Sequence, residues 1–416
     1  MKHVFVIFII LFTVSSTAQQ SITLQECYQL VNQNYPLAKQ KQLYDAQTKL
    51  DYQVISKAKL PQFSLDAKAS YQSDVIEIPI PNINIDPLNK DQYRATLSVN
   101  QLIYNGGATD ASLQLKATQL KTKQKQVEVS LYQLKQQINQ LYFSVLLSQE
   151  RHLLLEAKQA QLQAKWKEVQ SGIKYGVILP TSDKILEAEL LKINQQFQEL
   201  ESNRITLIQT LSSLISQPIT TTTLFQNPLI ETNLETELSR PELDLFQLKK
   251  EEIENSESVL SKKNAPKFLG FATGGYGNPG LNMLDNSFQT FYTVGVTFHW
   301  NVFDWNANKK QRESLIINKD IINTETEIFK LNTNIELNNH EKEIAKMEAF
   351  ISSDLEIINL RKEVLKSAEG QLKNGVITSS AYITELTNLY EDENTLVMHK
   401  IQLQLAKANY NSIKGQ

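Results

Sequence analysis

The sequence holds little of the chemistry that enzymes and metal centres require. Cys27 is the only cysteine among 416 residues, which excludes an intrachain disulfide and any cysteine-based metal cluster. The five histidines are scattered singly, so each is more typical of a packed or solvated side chain than of a ligand. A phosphate loop, a nucleophile elbow and a His-Glu-x-x-His motif are all absent. We therefore expect no catalytic residue, no cofactor and no metal site.

The sequence also lacks a large excess of charge of one sign, and its apolar runs are short. The formal net charge of −3 provides no basic surface for nucleic acid. The longest apolar run, residues 4–12, follows Lys2 and precedes the small residues Ser16-Thr17-Ala18. This run has about half the length that a membrane-spanning helix needs, so residues 1–18 are predicted to be a signal peptide. A membrane crossing elsewhere in the chain would then have to use β-structure.

What the sequence does have is a heptad pattern of unusual length. Eighteen positions from Leu113 to Ile173 are spaced by alternately four and three residues, and fourteen of them are apolar. No proline or glycine occurs between Leu113 and Gly172. This pattern predicts a helix over residues 108–173 that packs along a partner helix in a left-handed coiled coil. The pattern breaks near Gly176, and a returning helix over residues 182–216 repeats the seam.

An internal repeat organises the whole chain. Pro61 and Tyr71 recur 205 residues later, whereas Tyr93 and Gly176 recur 199 residues later, so one loop is six residues shorter in the second copy. Loops tolerate such changes better than packed elements do. The repeated unit is therefore predicted to be helix, strand, loop, strand, long helix, turn and returning helix.

The repeat sets the expected boundaries. The first repeat is 19–216, with strands near 62–72 and 92–102, the long helix 108–173, a tip at 174–181 and the returning helix 182–216. A linker follows at 217–238. The second repeat is 239–416, with strands near 267–276 and 291–302, a long helix 307–373, a tip at 374–379 and a returning helix 380–413.

The predicted strands alternate between apolar and polar residues. Alternation is regular in 62–72 and 92–100 and again in 292–302, whereas 267–276 is glycine-rich and poorly patterned. Such strands suit a membrane wall between lipid and water, but also a soluble antiparallel sheet with one solvated face. Aromatic residues at the strand ends resemble interfacial girdles and favour the membrane. Four strands cannot enclose water, so a membrane wall would require several chains, and three chains would supply twelve strands.

The chain resembles the TolC-like outer-membrane efflux protein family. The resemblance covers essentially the whole mature chain and rests on the duplicated plan, on the opening residues 22–36, on the junctions 102–107 and 300–306, and on the tips 175–179 and 374–378. It implies a mainly α fold with membrane β-structure, namely a homotrimer whose 12-stranded β-barrel in the outer membrane of a Gram-negative bacterium continues into a periplasmic α-helical coiled-coil barrel.

The resemblance also implies a function. The expected protein is a passive export duct of a tripartite efflux or type I secretion system, which docks on a periplasmic adaptor protein and an inner-membrane RND or ABC pump. It is no enzyme. The alternative is a periplasmic coiled-coil adaptor or scaffold protein whose strands form a soluble domain.

The tips are the candidate functional residues. The predicted adaptor-docking set is Tyr175, Gly176, Val177, Ile178, Leu179, Gly375, Val376 and Ile377, although its apolar members could instead pack the two hairpins against each other. Some relatives narrow the tunnel entrance with aspartates six and nine residues after the second tip glycine, where this chain has Ala381 and Thr384. Possible entrance charges nearby are Asp183, Glu187 and Glu385, whose alternative role is that of solvated helix charges.

Overall fold

The computed structural model describes residues 21–76, 87–176, 178, 180–233 and 237–416. The predicted signal peptide at 1–18 lies outside these residues, as do Val177 and Leu179. The chain divides into two compact units. We call them the helical unit, which includes residues 21–38, Ser130–Arg240 and Lys330–Gln416, and the sheet unit, Lys39–Val129 and Pro241–Phe329.

Apart from the helix Leu24–Asn34, the described elements of the two copies follow the same order. In chain order they are β1 Ser21–Ile22, α1 Leu24–Asn34, α2 Lys39–Lys57, β2 Gln62–Tyr71, β3 Asp91–Tyr104, α3 Ala108–Lys174, α4 Ser182–Ile215, β4 Leu224–Phe225, α5 Pro241–Ser261, β5 Lys267–Asn278, β6 Gln289–His299, α6 Ala307–Lys373 and α7 Ser379–Lys414. None of the helices in the described residues has the length and apolar character that a membrane span requires.

The sheet unit contains an antiparallel sheet with the order β2-β3-β5-β6. Its two hairpins share one register, because Ala69 pairs with Tyr93 in the first and their repeat equivalents Gly274 and Tyr292 pair in the second. Within the described residues, β2 and β6 each keep one edge without a strand partner. The duplication therefore extends to individual backbone pairs.

Prolines decide where the hairpins end. Pro61 and Pro266 immediately precede β2 and β5, and proline cannot donate a hydrogen bond to the ladder. The last pair of the second hairpin is therefore Lys267 with His299. The prediction that this strand continues to residue 302 is wrong, because beyond His299 the partner strand has ended.

Two glycines of the second hairpin, Gly275 in β5 and Gly295 in β6, have a packing role that the sequence pattern hides. A Cβ atom on Gly275 would lie 2.5 Å from Cζ of Phe291, and one on Gly295 would lie 2.7 Å from Cζ of Phe271. Each of these glycines is paired directly with the phenylalanine that covers it. Each glycine therefore makes room for a cross-strand ring. In β5, Gly275 is one reason why the strand does not alternate cleanly.

One face of the sheet exposes large apolar side chains. They include Phe63, Leu65, Leu97, Tyr292, Val294, Val296 and Phe298. The residues that alternate with them, such as Lys68, Arg94 and Thr96, form a polar face. Contiguous apolar surface of this kind normally meets another molecule or a membrane.

The core of the helical unit lies among α3, α4, α6 and α7. Its buried members are Leu155, Leu162, Val169, Leu186, Ile193, Ile358, Leu365, Ala368, Leu372, Tyr382, Leu386 and Leu389. Leu155, Leu162 and Val169 are seven residues apart and belong to the heptad seam. Burial of each such side chain contributes roughly 1.5–3 kcal/mol, so this core stabilises the predicted hairpins against each other.

The predicted linker at 217–238 is not simply a connection. It contains β4, which pairs in parallel with β1. Phe225 in this strand is buried, and the Tyr142 hydroxyl donates a hydrogen bond of 2.6 Å to the carbonyl of Gln226. The threonine-rich sequence gave no sign of these contacts, since two-residue strands leave no periodic pattern.

Candidate docking site at the helix reversals

The first reversal follows the C-terminus of α3 and is built around glycine. Gly176 has a φ of +72°, a conformation that glycine adopts without steric cost. Its amide donates a hydrogen bond to the carbonyl of Ile173 at 3.0 Å. Ile178 returns against the helix so closely that a Cβ on Gly172 would lie 2.6 Å from its Cδ1 atom. The two glycines of this Gly-x-x-x-Gly sequence therefore have different roles. Gly176 forms the turn, and Gly172 allows the close contact with Ile178.

The second reversal is more regular. Gly375, with a φ of +69°, donates to the Leu372 carbonyl at 3.0 Å, and Val376 donates to the Gln371 carbonyl at 2.8 Å. These two bonds form a Schellman motif, which satisfies carbonyls left free at the helix end. Thr378 then caps α7, its hydroxyl accepting from the amide of Ala381 at 3.2 Å.

The apolar tip residues divide into two groups. Ile178 and Ile377 are half-buried and pack against the core of the helical unit. Val376 and Tyr175 remain 72% and 75% exposed. The packing alternative therefore describes the two isoleucines, whereas Val376 and Tyr175 are available to another molecule.

The three possible entrance charges are not gathered into one cluster. Lys184 binds Glu187 at 2.7 Å, and Arg361 lies 3.8 Å from Glu385. Asp183 is half-buried, and its Oδ1 atom has no hydrogen-bond partner in the described part of the chain. Among the residues the structure describes, no ion pair or hydrogen bond joins these carboxylates to one another.

The sequence interpretation missed a buried ion pair above the first tip. The side chain of Lys158 is only 4% exposed, and its ammonium group lies 3.3 Å from Glu189 of α4. The same ammonium lies 4.6 Å from the ring centroid of Tyr390 in α7. One cation therefore joins three helices.

A second buried lysine repeats the arrangement one heptad later. Lys165 bonds Glu168 of its own helix at 2.7 Å and Glu369 of α6 at 3.1 Å, and it lies 5.3 Å from the ring centroid of Tyr382. Burial alone would lower the pKa of Lys165, but the two hydrogen-bonded glutamates raise it above the usual value. Lys158 and Lys165 each follow a seam leucine by three residues. This spacing indicates that they lie beside the seam, but it does not identify their partners.

Nothing in the described residues suggests a metal centre. No group of three or more His, Cys, Asp or Glu side chains that could hold a metal ion occurs among them. Cys27 is buried, and this burial raises the pKa of its thiol to about 12. A thiol in that state is a weak nucleophile at neutral pH.

Comparison with solved structures defines the class of fold. The outer membrane protein VceC of Vibrio cholerae aligns over 94% of this chain and 96% of its own with a TM-score of 0.66 and 13% identity. The MtrE outer membrane channel of Neisseria gonorrhoeae aligns over 94% of this chain and 89% of its own, with a TM-score of 0.65 and 14% identity. The channel protein CusC aligns over 94% of this chain and 92% of its own, with a TM-score of 0.70 and 11% identity. The chain therefore has the fold of these outer-membrane channels.

The family assignment agrees with the fold. The model of the family described as outer membrane efflux protein matches residues 27–217, which include most of α1, all of α2 to α4 and the first tip. No curated protein matches the sequence. The first copy of the chain is therefore similar to this family, and its elements from α2 to α4 recur in the second copy as α5 to α7.

Proposed function

We propose that this protein is the outer-membrane duct of a tripartite export system and works as a trimer. The observation that carries the proposal is the sheet, which has one exposed apolar face, one polar face and two free edges. Lipid is a suitable partner for the apolar face, but free backbone edges are not tolerated in lipid. Closing three sheets edge to edge into a twelve-stranded barrel removes every edge and encloses water.

The internal repeat predicts how neighbouring chains would pair. Within one chain, β3 of the first copy pairs with β5 of the second, and Leu97 is opposite Gly274. Repeating this contact between chains places β6 beside β2 of the next chain. The offsets of 199 and 205 then put Val296 opposite Ala69 of the next chain. The proposal thus fixes a register as well as a stoichiometry.

Exposed aliphatic residues on α6 also fit a neighbouring chain. Ile357, Leu360 and Val364 are exposed and lie three and four residues apart, so they share one helix face. Such a stripe is the usual seam of a coiled coil. In the proposed trimer, this face packs against a helix of the next chain.

The membrane part is tested by a pair of arginine substitutions on adjacent residues of β3. Arginine on a lipid-facing strand costs roughly 2–4 kcal/mol at the membrane midplane but little on a wet face. Leu97→Arg should therefore sharply reduce assembled protein in outer-membrane fractions. Thr96→Arg should assemble normally, because Thr96 is on the polar face opposite Asp66. Equal yields of the two variants, or wild-type protein in the soluble periplasmic fraction, would contradict the proposal and favour the scaffold alternative.

The helix reversals are proposed to contact the periplasmic adaptor of an RND or ABC pump. Val376 and Tyr175 support this role, because they are exposed apolar and aromatic side chains at the only two reversals between long helices in the described residues. Two such residues per chain would give a trimer six contact points. Tyrosine is among the residue types that dominate the affinity of many interfaces once a partner buries them.

The docking role is tested with Val376→Asp, with Asn374→Asp as the matched control. Asn374 is an exposed polar residue of the same turn, so it receives the same charge without loss of an apolar contact. Val376→Asp should leave the amount of trimer unchanged but reduce export and adaptor cross-linking at least tenfold, whereas Asn374→Asp should do neither. Parental export by Val376→Asp would remove this residue from the docking surface. Loss of the trimer itself would mean that Val376 has a packing role.

A further inference from the structure

The polar face of the sheet contains a directly opposed pair of like charges. Lys68 of β2 is directly opposite Arg94 of β3. Like charges in this position destabilise a sheet. Among the described residues, neither cation forms an ion pair with a carboxylate, and Asp66, two residues from Lys68 on the same face, makes no such contact with it. Among the residues that the structure describes, the pair therefore lacks a counter-charge.

The second copy provides an internal control for this pair. The repeat equivalents of Lys68 and Arg94 are Thr273 and Thr293, and these are also directly opposite each other in the second hairpin. The same backbone register is therefore compatible with a neutral pair. The backbone register alone therefore does not account for the two cations of the first copy.

The two cations line a cavity of about 230 Å³. The other residues that line it are Ser70, Gln92, Tyr93, Asn278, Pro279 and Met283, so none is acidic. One water molecule needs only about 10–15 Å³ of such space, which leaves room for a small solute group. The cavity thus combines space with an excess of positive charge.

Hydrogen-bond donors face this space with their positions already constrained. The Nη2 atom of Arg94 donates to the carbonyls of Pro279 and Gly280 at 3.4 Å each, and its guanidinium carbon lies 5.4 Å from the ring centroid of Phe291. Among the described residues, the other N–H groups of this guanidinium have no hydrogen-bond acceptor. The amide oxygen of Gln92 accepts from Gln72 at 3.2 Å, which leaves its amide nitrogen as a further donor.

We propose that Lys68 and Arg94 form a binding site for the phosphate or carboxylate group of a small soluble anion. Arginine and lysine together give the charge-assisted hydrogen bonds that such oxyanions accept. The bound anion would offset the repulsion between the two cations. In the register proposed for the trimer, the residue of the next chain opposite Lys68 is Thr297, which adds a hydroxyl group and no competing carboxylate.

The site is tested by phosphorus NMR titration of inorganic phosphate with the full chain purified in detergent. Because this assay measures binding and not export, its result is independent of the proposed transport function. The central variant is Lys68→Thr with Arg94→Thr, which installs the neutral pair of the second copy. The matched control is Lys267→Thr, which removes a lysine from the opposite end of the sheet.

The expected result is that the double variant folds, as judged by an unchanged circular dichroism spectrum, and binds phosphate at least tenfold more weakly than the parent. Lys68→Thr alone should weaken binding severalfold, whereas Lys68→Arg and Lys267→Thr should retain it. Equal affinity in the parent and the double variant would overturn the site. A response only in mixed micelles that contain phosphatidylglycerol would overturn the assignment to a soluble anion, since it would identify a lipid headgroup as the ligand. If the double variant does not fold, the result for Lys68→Thr decides, because Lys68 is exposed and makes no contact whose loss would unfold the sheet.

Discussion

The two copies of the repeated unit share a backbone but differ in how their side chains use it. At the junction that leads into each long helix, two consecutive residues have positive φ values. In the first copy these are Gly106 and Gly107, and in the second they are Trp305 and Asn306. A bulky residue such as tryptophan rarely adopts this conformation. The junction is therefore kept by the surrounding structure even where the residue type opposes it.

The long helices differ in which face they bury. Lys158 and Lys165 of α3 are buried, whereas their repeat equivalents in α6, Ile357 and Val364, are 40% and 45% exposed. Cations are inside the protein and aliphatic residues are outside, which is the reverse of the usual preference. Burial of a helix face therefore depends on which element packs against it, and not only on the residue types of that face. In the proposed trimer, another chain would cover the exposed face of α6.

The largest effect is expected from breaking the buried contacts that only the first copy has. Lys158→Ala would leave the largely buried Glu189 with only the exposed Lys192, at 3.4 Å, as an ion-pair partner. Loss of a buried ion-pair partner costs up to roughly 3–5 kcal/mol. The matched surface change, Lys184→Ala, removes a lysine that is 73% exposed and should have little effect on stability, because exposed ion pairs contribute little. Chemical unfolding of the two purified variants, followed by circular dichroism, measures the difference.

Equal destabilisation by the two lysine variants would show that the Lys158 ion pair contributes no more than a surface pair. A double variant, Lys158→Met with Glu189→Gln, sharpens the test. It removes both charges and should recover part of the lost stability.

A smaller effect is expected at the junction, where two glycines share a conformation but differ in space. A Cβ on Gly106 would lie 2.2 Å from the Cβ of Ala265, whereas nothing lies within 4 Å of a Cβ on Gly107. Gly107→Ala should therefore cost only the roughly 1–2 kcal/mol of left-handed strain. Gly106→Ala should cost a further 1–3 kcal/mol, about what overpacking adds.

The midpoint of thermal unfolding distinguishes the two alanine variants. The lower midpoint should belong to Gly106→Ala. If Gly107→Ala proved equally or more damaging, strain and not space would be the dominant reason for glycine at this junction.

Much of the fold could be predicted from the sequence because its signals are periodic. The heptad seam that includes Leu155 and Leu162 predicted the long helices, and alternation from Phe63 to Tyr71 predicted the strands. The burial of Lys158 could not be predicted, since no local pattern says that Glu189 and Tyr390 meet it. The division between Ile178, which packs inward, and Val376, which is exposed, likewise depends on tertiary contacts around each glycine.

The end of β6 shows a different limit. Val302 continues the alternation of that strand, yet the ladder stops at His299 because Pro266 precedes its partner. The relevant residue lies more than thirty positions away in the sequence. A local pattern can therefore indicate a strand without fixing where its pairing ends.

The most direct test of the central claim, that three chains close edge to edge with the register of the internal repeat, is disulfide cross-linking. Cysteines at residues 69 and 296, introduced as Ala69→Cys and Val296→Cys in one chain, should be opposite each other across the interface, within the 4.4–6.8 Å between Cα atoms that a disulfide permits. Buried Cys27 need not be replaced. The matched control, Leu65→Cys with Val296→Cys, separates the two cysteines by four strand residues, about 13 Å.

Oxidation of outer membranes followed by denaturing electrophoresis gives the result. We expect a covalent trimer from the variant with cysteines at 69 and 296, and monomer from the control. Monomer from the first variant, or a trimer from the control alone, would contradict the account.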